Sequence, residues 1–93
     1  MALFATRLEG RAAAAGGMPE RAARFLRGAA DGFVELEAVW EAAVTKLDLA
    51  RVLVSAGNGE DAEPLARGAA QVFQRLGSVR ELGFARDLLG KPA

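Results

Sequence analysis

The sequence predicts an all-α protein made of about five antiparallel helices arranged as helix-turn-helix hairpins. Apolar residues recur at spacings of three and four along the chain, and no stretch alternates cleanly between apolar and polar residues. Glycine and proline clusters divide the 93 residues into segments of helix length. One segment also repeats itself at an offset of 40 residues, a period typical of helical-repeat proteins. At this length the chain is expected to form one domain, residues 1–93.

The internal repeat is clearest when residues 17–41 are aligned with residues 57–81, where eleven of 25 positions are identical. An alanine-rich composition explains some of the alanine matches, but it does not explain matched pairs of Phe, Leu, Val and Glu. The identical pairs are Gly17/Gly57, Glu20/Glu60, Ala22/Ala62, Arg27/Arg67, Gly28/Gly68, Ala29/Ala69, Ala30/Ala70, Phe33/Phe73, Leu36/Leu76, Val39/Val79 and Glu41/Glu81. We therefore expect two similar units at residues 3–36 and 37–76, followed by a half repeat or capping helix at residues 79–90.

The first two helices are predicted from their end signals and apolar stripes. The first runs from about Leu3 to Ala15 and stops at Gly16–Gly17, because glycine readily takes the left-handed conformation that closes a helix. The second begins near Pro19, since a proline in the first turn loses no helical hydrogen bond. Its predicted buried stripe has helical spacing and consists of Ala22, Phe25, Leu26, Ala29 and Phe33.

The third helix is predicted from about Glu37 to Ala56, and it is apolar on two sides. One stripe consists of Trp40, Ala43, Leu47, Ala50 and Val54, and the other of Ala42, Leu49, Leu53 and Ala56. A helix with two apolar sides is expected to lie between two neighbours. Trp40 is expected to anchor the core, although tryptophan is also frequent at the centres of interfaces.

The fourth and fifth helices complete the predicted array. The turn cluster 57–59 precedes the fourth helix, which is expected to end near Leu76, with Pro64 leaving its start slightly irregular. The fifth helix is predicted from about Val79 to Leu89, with Gly90 as its end signal. Helical-repeat arrays need about three units. The chain is therefore expected to belong to a longer array, to dimerise through an end or a groove, or to use its fifth helix as a cap.

The composition excludes most kinds of catalysis and several kinds of partner. The chain contains no Cys and no His, which removes thiol nucleophiles, imidazole bases and the common zinc, haem and iron–sulfur sites. We therefore expect no enzyme activity, no catalytic residue, no cofactor and no metal. A formal net charge of zero argues against nucleic-acid binding. No apolar run is long enough to cross a membrane, and without a secretory signal the expected location is the cytoplasm.

The predicted hairpin of the third and fourth helices carries a spaced set of small and apolar residues, Leu49, Ala50, Leu53, Gly57, Ala62 and Ala69. With these residues at its signature places, the hairpin resembles the tetratricopeptide repeat (TPR). The first hairpin matches more loosely, through Gly10, Ala13, Gly17, Ala22, Leu26 and Ala29. The chain departs from the family pattern at Lys46, which replaces an early tryptophan, and at Gln74, which replaces the closing proline. Its period of about 40 residues also exceeds the TPR period of about 34.

A second resemblance concerns the local amino-acid sequence of four short stretches, residues 40–43, 47–51, 73–77 and 85–90. These stretches are similar to the C-terminal TPR arrays of MalT-like or LuxR-type bacterial transcriptional activators and of some nucleotide cyclases. The two resemblances together imply an α–α superhelix of about 2.5 repeats that serves as a protein–protein interaction module in a bacterial signalling or transcriptional regulator. The alternative function is a structural homo-oligomerisation domain without a ligand groove.

The resemblance also implies a groove lined by the first helix of each unit. Arg11, Arg51 and Arg86 each follow a small contact residue on these helices and would form a column that binds a carboxylate or phosphate. The alternative is that these arginines form solvated ion pairs with nearby carboxylates, namely Asp48, Asp87 and Glu81.

An apolar strip in the same groove would consist of Val44, Leu47 and Val54. If these side chains are exposed, they would bind an amphipathic helix or a second copy of the chain. If Trp40 covers them, they belong to the core. The expected partner is accordingly another protein or peptide, or a second copy in a homodimer.

Overall fold

The computed structural model describes residues 2–90, and its described part consists of five α-helices joined by short turns, with no strand. The helices are α1 (Ala2–Ala15), α2 (Pro19–Glu35), α3 (Val39–Ser55), α4 (Gly59–Leu76) and α5 (Val79–Leu88). The predicted all-α class is confirmed. The outermost residues of the predicted domain, residue 1 and residues 91–93, lie outside the described range. No helix between residues 2 and 90 is long and apolar enough to span a membrane.

The four interhelical turns share one geometry and recur every 20 residues. Positive φ angles occur at Gly17, Glu37, Gly57 and Gly77. In each turn the amide after this residue donates to a carbonyl five residues back, as Met18 does to Ala13 at 2.9 Å. These are the hydrogen bonds of the Schellman motif, which pairs carbonyls that a helix end would leave unpaired. The structural period is therefore one helix and one turn, half of the period visible in the sequence.

Glu37 is the exception in this series of turns. It adopts φ 56°, a left-handed conformation that is unfavourable for a residue with a Cβ atom. The amide of Ala38 still donates to the carbonyl of Phe33 at 2.9 Å, so the turn forms as the other three do. The third helix, predicted from about Glu37, begins two residues later at Val39, because Glu37 closes the preceding turn.

Each helix packs against the next one along the chain, and the turns make neighbouring helices antiparallel. In addition, α1 touches α3 and α3 touches α5, so these three helices form one layer with α2 and α4 on its other side. The residue five positions before each turn amide is buried in all four cases: Ala13, Phe33, Leu53 and Phe73. Small residues fill many of the remaining buried positions, which allows close approach of neighbouring helices.

The contact between α1 and α2 is made by two reciprocal glycine–leucine pairs. Gly10 of α1 lies against Leu26 of α2, and a Cβ atom at residue 10 would lie 2.7 Å from Leu26 Cγ. Gly32 of α2 lies in the same way against Leu3 of α1. Because glycine has no side chain, each leucine can pack directly on the opposite backbone. These two pairs set the spacing of the first hairpin.

Two further expectations concern Pro64 and Trp40. Pro64, expected to leave the start of the fourth helix slightly irregular, lies inside α4, which runs without a break from Gly59 to Leu76. Trp40, expected to anchor the core, is 38% exposed, so that expectation is wrong. Trp40 lies in the first turn of α3, at the edge of the bundle, and the largest fully buried side chains are instead Phe33 and Phe73.

Candidate interaction surface

The layer of α1, α3 and α5 presents a row of charged and aromatic side chains, which we call the α1/α3/α5 face. At one end of it, Arg7 Nη1 donates to Glu41 Oε1 at 2.6 Å. Both side chains are largely covered, with 13% and 28% of their surface exposed. The fully buried Thr45 donates its hydroxyl to the Glu41 carbonyl at 2.7 Å, so its polar group is satisfied. This part of the face joins α1 to α3 and has no free charge.

Two aromatic rings enclose the guanidinium of Arg7. Its central carbon lies 5.2 Å from the ring centroid of Phe4 and 5.3 Å from that of Phe33. The two rings themselves meet edge to face, with centroids 5.1 Å apart. Each arrangement is favourable, because a cation is attracted to the negative face of an aromatic ring and the ring edges are positive. Arg7 therefore serves the packing of α1.

The middle of the face carries two arginines and one carboxylate. Arg11 Nε donates to Asp48 Oδ2 at 2.7 Å, a short charge-assisted hydrogen bond between α1 and α3. Arg51 Nη1 lies 3.6 Å from Asp48 Oδ1, beyond good hydrogen-bond distance. The side chains of Arg11 and Arg51 are 45% and 47% exposed. Asp48 is thus engaged by Arg11, and the guanidinium of Arg51 keeps donors available.

Arg51 also faces α5, where a second arginine approaches the same aromatic ring. The guanidinium carbons of Arg51 and Arg80 lie 5.3 Å and 5.6 Å from the ring centroid of Phe84. Phe84 is 38% exposed. Two positive groups are therefore held within reach of one partly exposed ring. Such a cluster attracts carboxylate or phosphate groups, which guanidinium binds in a bidentate manner.

An apolar hollow of about 310 Å³ adjoins Arg51 between the ends of α1 and α3. It is lined by Ala14, Gly17, Pro19, Arg51, Val52 and Ser55. The hollow provides space for an apolar side chain beside Arg51. An apolar anchor with one convergent charged group is a common arrangement in binding sites.

The predicted arginine column is formed in part. Arg11 and Arg51 meet at Asp48, in agreement with the alternative that Arg51 is paired to this carboxylate. Arg86 does not join them. It lies two residues after Phe84, which places it about 160° around the helix from that ring, on the outer side of α5. The expectation of a three-residue column is wrong because Arg86 points away from the face.

The predicted apolar strip is dispersed among different environments. Leu47 is only 3% exposed and packs with Phe73 and Ala85 in the core between α3, α4 and α5. Val44 is half-buried against the same cluster. Val54 is 43% exposed and lines a separate hollow of about 400 Å³ beside α4. The core alternative therefore holds for Leu47, although α4 and α5 cover it rather than Trp40.

Arg7, Arg80 and Phe84 were missed as members of this surface. Arg7 lies one helical turn before Arg11, and Arg80 lies one turn before Phe84, so the spacing that puts them on one face was visible. What the sequence lacked was the orientation of the helices relative to one another. Within residues 2–90 no group of acidic side chains is arranged to hold a metal ion.

No protein-family model, curated protein or solved structure matches this chain. The interaction surface is therefore interpreted from its own geometry.

Proposed function

We propose that the chain is a TPR-like protein-interaction module whose α1/α3/α5 face binds an acidic peptide segment of a partner protein. The observation that carries the proposal is the convergence of Arg51 and Arg80 on Phe84, next to an Asp48 carboxylate that Arg11 already engages. An incoming carboxylate would supply the acceptor that Arg51 lacks at hydrogen-bond distance.

The partner segment is expected to combine an acidic residue with an apolar one. The carboxylate would lie between the guanidinium groups of Arg51 and Arg80, over the edge of Phe84. The apolar side chain would occupy the hollow beside Val52 and Pro19. Because both arginines are exposed, we expect modest affinity and a strong dependence on salt.

The wider setting of the module rests on the sequence resemblance. We place it in the cytoplasm, as a part or relative of a bacterial signalling or transcriptional regulator. In this setting the chain binds and positions another protein, and it performs no chemical reaction of its own.

A peptide selection tests this function directly, since it does not require the natural partner. A library of displayed random peptides is selected against the wild-type protein, and the binders are mapped by NMR chemical shifts. We expect binders enriched in Asp and Glu that shift the amides of α3 and α5 around Arg51 and Phe84. Binders without acidic residues, or binders that shift only α2 and α4, would contradict the proposal.

Charge reversal at the face provides the matched comparison. Arg51→Glu and Arg80→Glu are each expected to weaken binding of an acidic peptide at least about tenfold, since a charge-assisted contact becomes repulsive. Arg67→Glu is the control, because Arg67 is 57% exposed on α4 and pairs locally with Glu63. Equal losses in all three variants would indicate only a general effect of net charge.

A further inference from the structure

The outer side of α1 carries an apolar stripe that none of the other four described helices covers. It consists of Ala5, Leu8 and Ala12, with Glu9 beside them, and spacings of three and four place all of these on one side of the helix. The opposite side faces α2 through Gly10 and its neighbours. Leu8 is 67% exposed, more than any other large apolar residue of the described chain except Val79. We call this stripe, with the adjoining start of α2, the α1 edge.

A hollow of about 240 Å³ lies on the same edge, between α1 and the start of α2. It is lined by Glu9, Ala12, Ala13, Met18, Arg21 and Phe25. Its volume exceeds the about 150 Å³ of an engineered core cavity that holds benzene, so a leucine side chain fits. Leu8 stands beside the hollow without lining it. The edge therefore has an apolar projection next to a recess that both apolar and charged side chains line.

The charges on the edge are also complementary to each other. Glu9 and Arg21 lie at the rim of the hollow with opposite signs, and neither makes an ion pair within residues 2–90. The guanidinium of Arg21 lies over the ring of Phe25, 5.4 Å from its centroid, which holds this side chain at the rim. A surface with both charges, a projection and a recess can match a copy of itself.

We propose that the α1 edge is the interface of a symmetric homodimer. A two-fold axis would place Leu8 of each copy in the hollow of the other and bring Glu9 opposite the partner's Arg21. An isologous contact of this kind satisfies both copies with one patch and closes at two subunits. The edge contains neither Arg51 nor Arg80, which lie on α3 and α5, so dimerisation leaves these two peptide-binding arginines outside the interface. The inference is independent of the proposed function.

The opposite end of the array does not offer the same match. The outer side of α5 carries Val79, Gly83 and Arg86 at helical spacing, and a Cβ atom at Gly83 would meet no atom within 4 Å. Its central residue, Gly83, has no side chain to insert into a partner.

The size of the edge sets the expected strength of the dimer. It comprises one side of a short helix and the first turns of another. We therefore expect each copy to bury less surface than in a standard stable interface, which buries about 800 Å² per partner. The dimer is therefore expected to be weak, with a dissociation constant in the micromolar range or above. Sedimentation or light scattering across dilution into that range should show the mass fall from dimer to monomer.

Two sets of variants test the assignment. Leu8→Asp is expected to raise the dissociation constant at least about tenfold, because a charged side chain would replace the apolar one that enters the partner's hollow. Leu36→Asp is the control, since Leu36 is similarly exposed at 61% but lies at the far end of α2. Both sites are exposed, so circular dichroism should show unchanged helix content.

The charge exchange is the more specific test. Glu9→Arg and Arg21→Glu should each weaken the dimer, and the double variant should restore it, because the opposing charges then face each other again. A wild-type protein that stays monomeric at submillimolar concentration overturns the proposal. The proposal is also overturned if Leu8→Asp leaves the dimer intact, or if Leu36→Asp dissociates it instead. Failure of the double variant to restore the dimer would likewise exclude the two-fold pairing.

Discussion

Helices α1 and α3 occupy equivalent places in the two units, but different kinds of contact fix them in the bundle. α3 lies between α2 and α4 and contains eight buried residues, whereas α1 has a full neighbour only in α2 and contains two, Gly10 and Ala13. Because apolar burial is the main stabilising contribution in a fold, α3 is stabilised by the large apolar surface area that it buries. α1 lacks that area and depends on a few specific contacts.

Those contacts are of two kinds, the packing of leucine side chains on glycine backbone and ion pairs between α1 and α3. Gly10 and Gly32 allow two leucines to pack on opposing backbones, and Arg7 and Arg11 connect α1 to carboxylates of α3. Regions with few buried apolar contacts open at lower free energy than the core of the same protein. The difference teaches that a helix at the end of an array is secured by geometry and polar contacts, and that it should open before the interior helices.

Removal of the large buried ring that α4 packs against α3 should have the largest effect. Phe73 is 0% exposed and packs with Leu47 and Ala43. Phe73→Ala is expected to lower the free energy of unfolding by about 3–5 kcal/mol, through lost burial and a new cavity. Phe4→Ala on α1 is the matched change, because Phe4 is already 42% exposed, and about 1 kcal/mol is expected. Chemical denaturation measures both, and similar losses would contradict the contrast.

A methyl group at Gly10 should loosen the first hairpin. The new Cβ would lie 2.7 Å from Leu26 Cγ, and Leu26 is fully buried and cannot move aside. We expect Gly10→Ala to be destabilising by about 1–3 kcal/mol despite the better helix propensity of alanine. Gly28→Ala is the control, since nothing lies within 4 Å of that position, and it should be stabilising by about 0.5–1 kcal/mol. Thermal melts that show the same sign for both would refute the close-approach explanation.

The ion pair of Arg7 with Glu41 should contribute more than a surface pair. A double-mutant cycle with Arg7→Met and Glu41→Gln is expected to give a coupling of about 1–2 kcal/mol, because both groups are largely covered. The same cycle at Glu63 and Arg67, each 57% exposed, should give about 0.3–0.5 kcal/mol. Added salt should reduce the second coupling more than the first. Equal couplings would show that the α1–α3 contact has no special role.

The smallest expected effect is a gain at the turn before α3. Glu37→Gly puts glycine at a left-handed position that glycine already occupies in the other three turns. Because this removes the strain of a Cβ atom at positive φ, the change should be stabilising by about 0.5–1 kcal/mol. Gly57→Ala, which introduces a Cβ at φ 86°, should be destabilising by a similar amount. A neutral or harmful effect of Glu37→Gly in thermal melts would mean that the Glu37 side chain has a role of its own.

Local signals account for the parts of the fold that the sequence predicted well. Gly17, Gly57 and Gly77 end helices and Pro19 starts one, so these boundaries agree with the structure to within a residue or two. The turn at Glu37 was located only as the boundary between the two predicted units, because a glutamate carries no such signal. The 20-residue period was hidden for the same reason, since glycine occupies only three of its four turns.

The interaction surface was less predictable, because it depends on how separate helices are oriented. Arg11 and Asp48 are 37 residues apart, and their pairing follows from the packing of α1 on α3. Arg86 was placed in the column because it follows a small contact residue, but it lies 35 residues after Arg51 and not 40, so it does not occupy the equivalent position on its helix. The relationship to TPR proteins, by contrast, stays a prediction, and so does the peptide-binding function.

Residue-resolved native-state hydrogen exchange, recorded at low and at high protein concentration, tests the contrast between α1 and α3 most directly. At low concentration the amides of α1 should exchange at a clearly lower opening free energy than those of α3, which should approach the global value. At high concentration α1 and the first turns of α2 should gain protection, because the dimer covers the α1 edge. Equal opening free energies for α1 and α3 at low concentration would contradict the account.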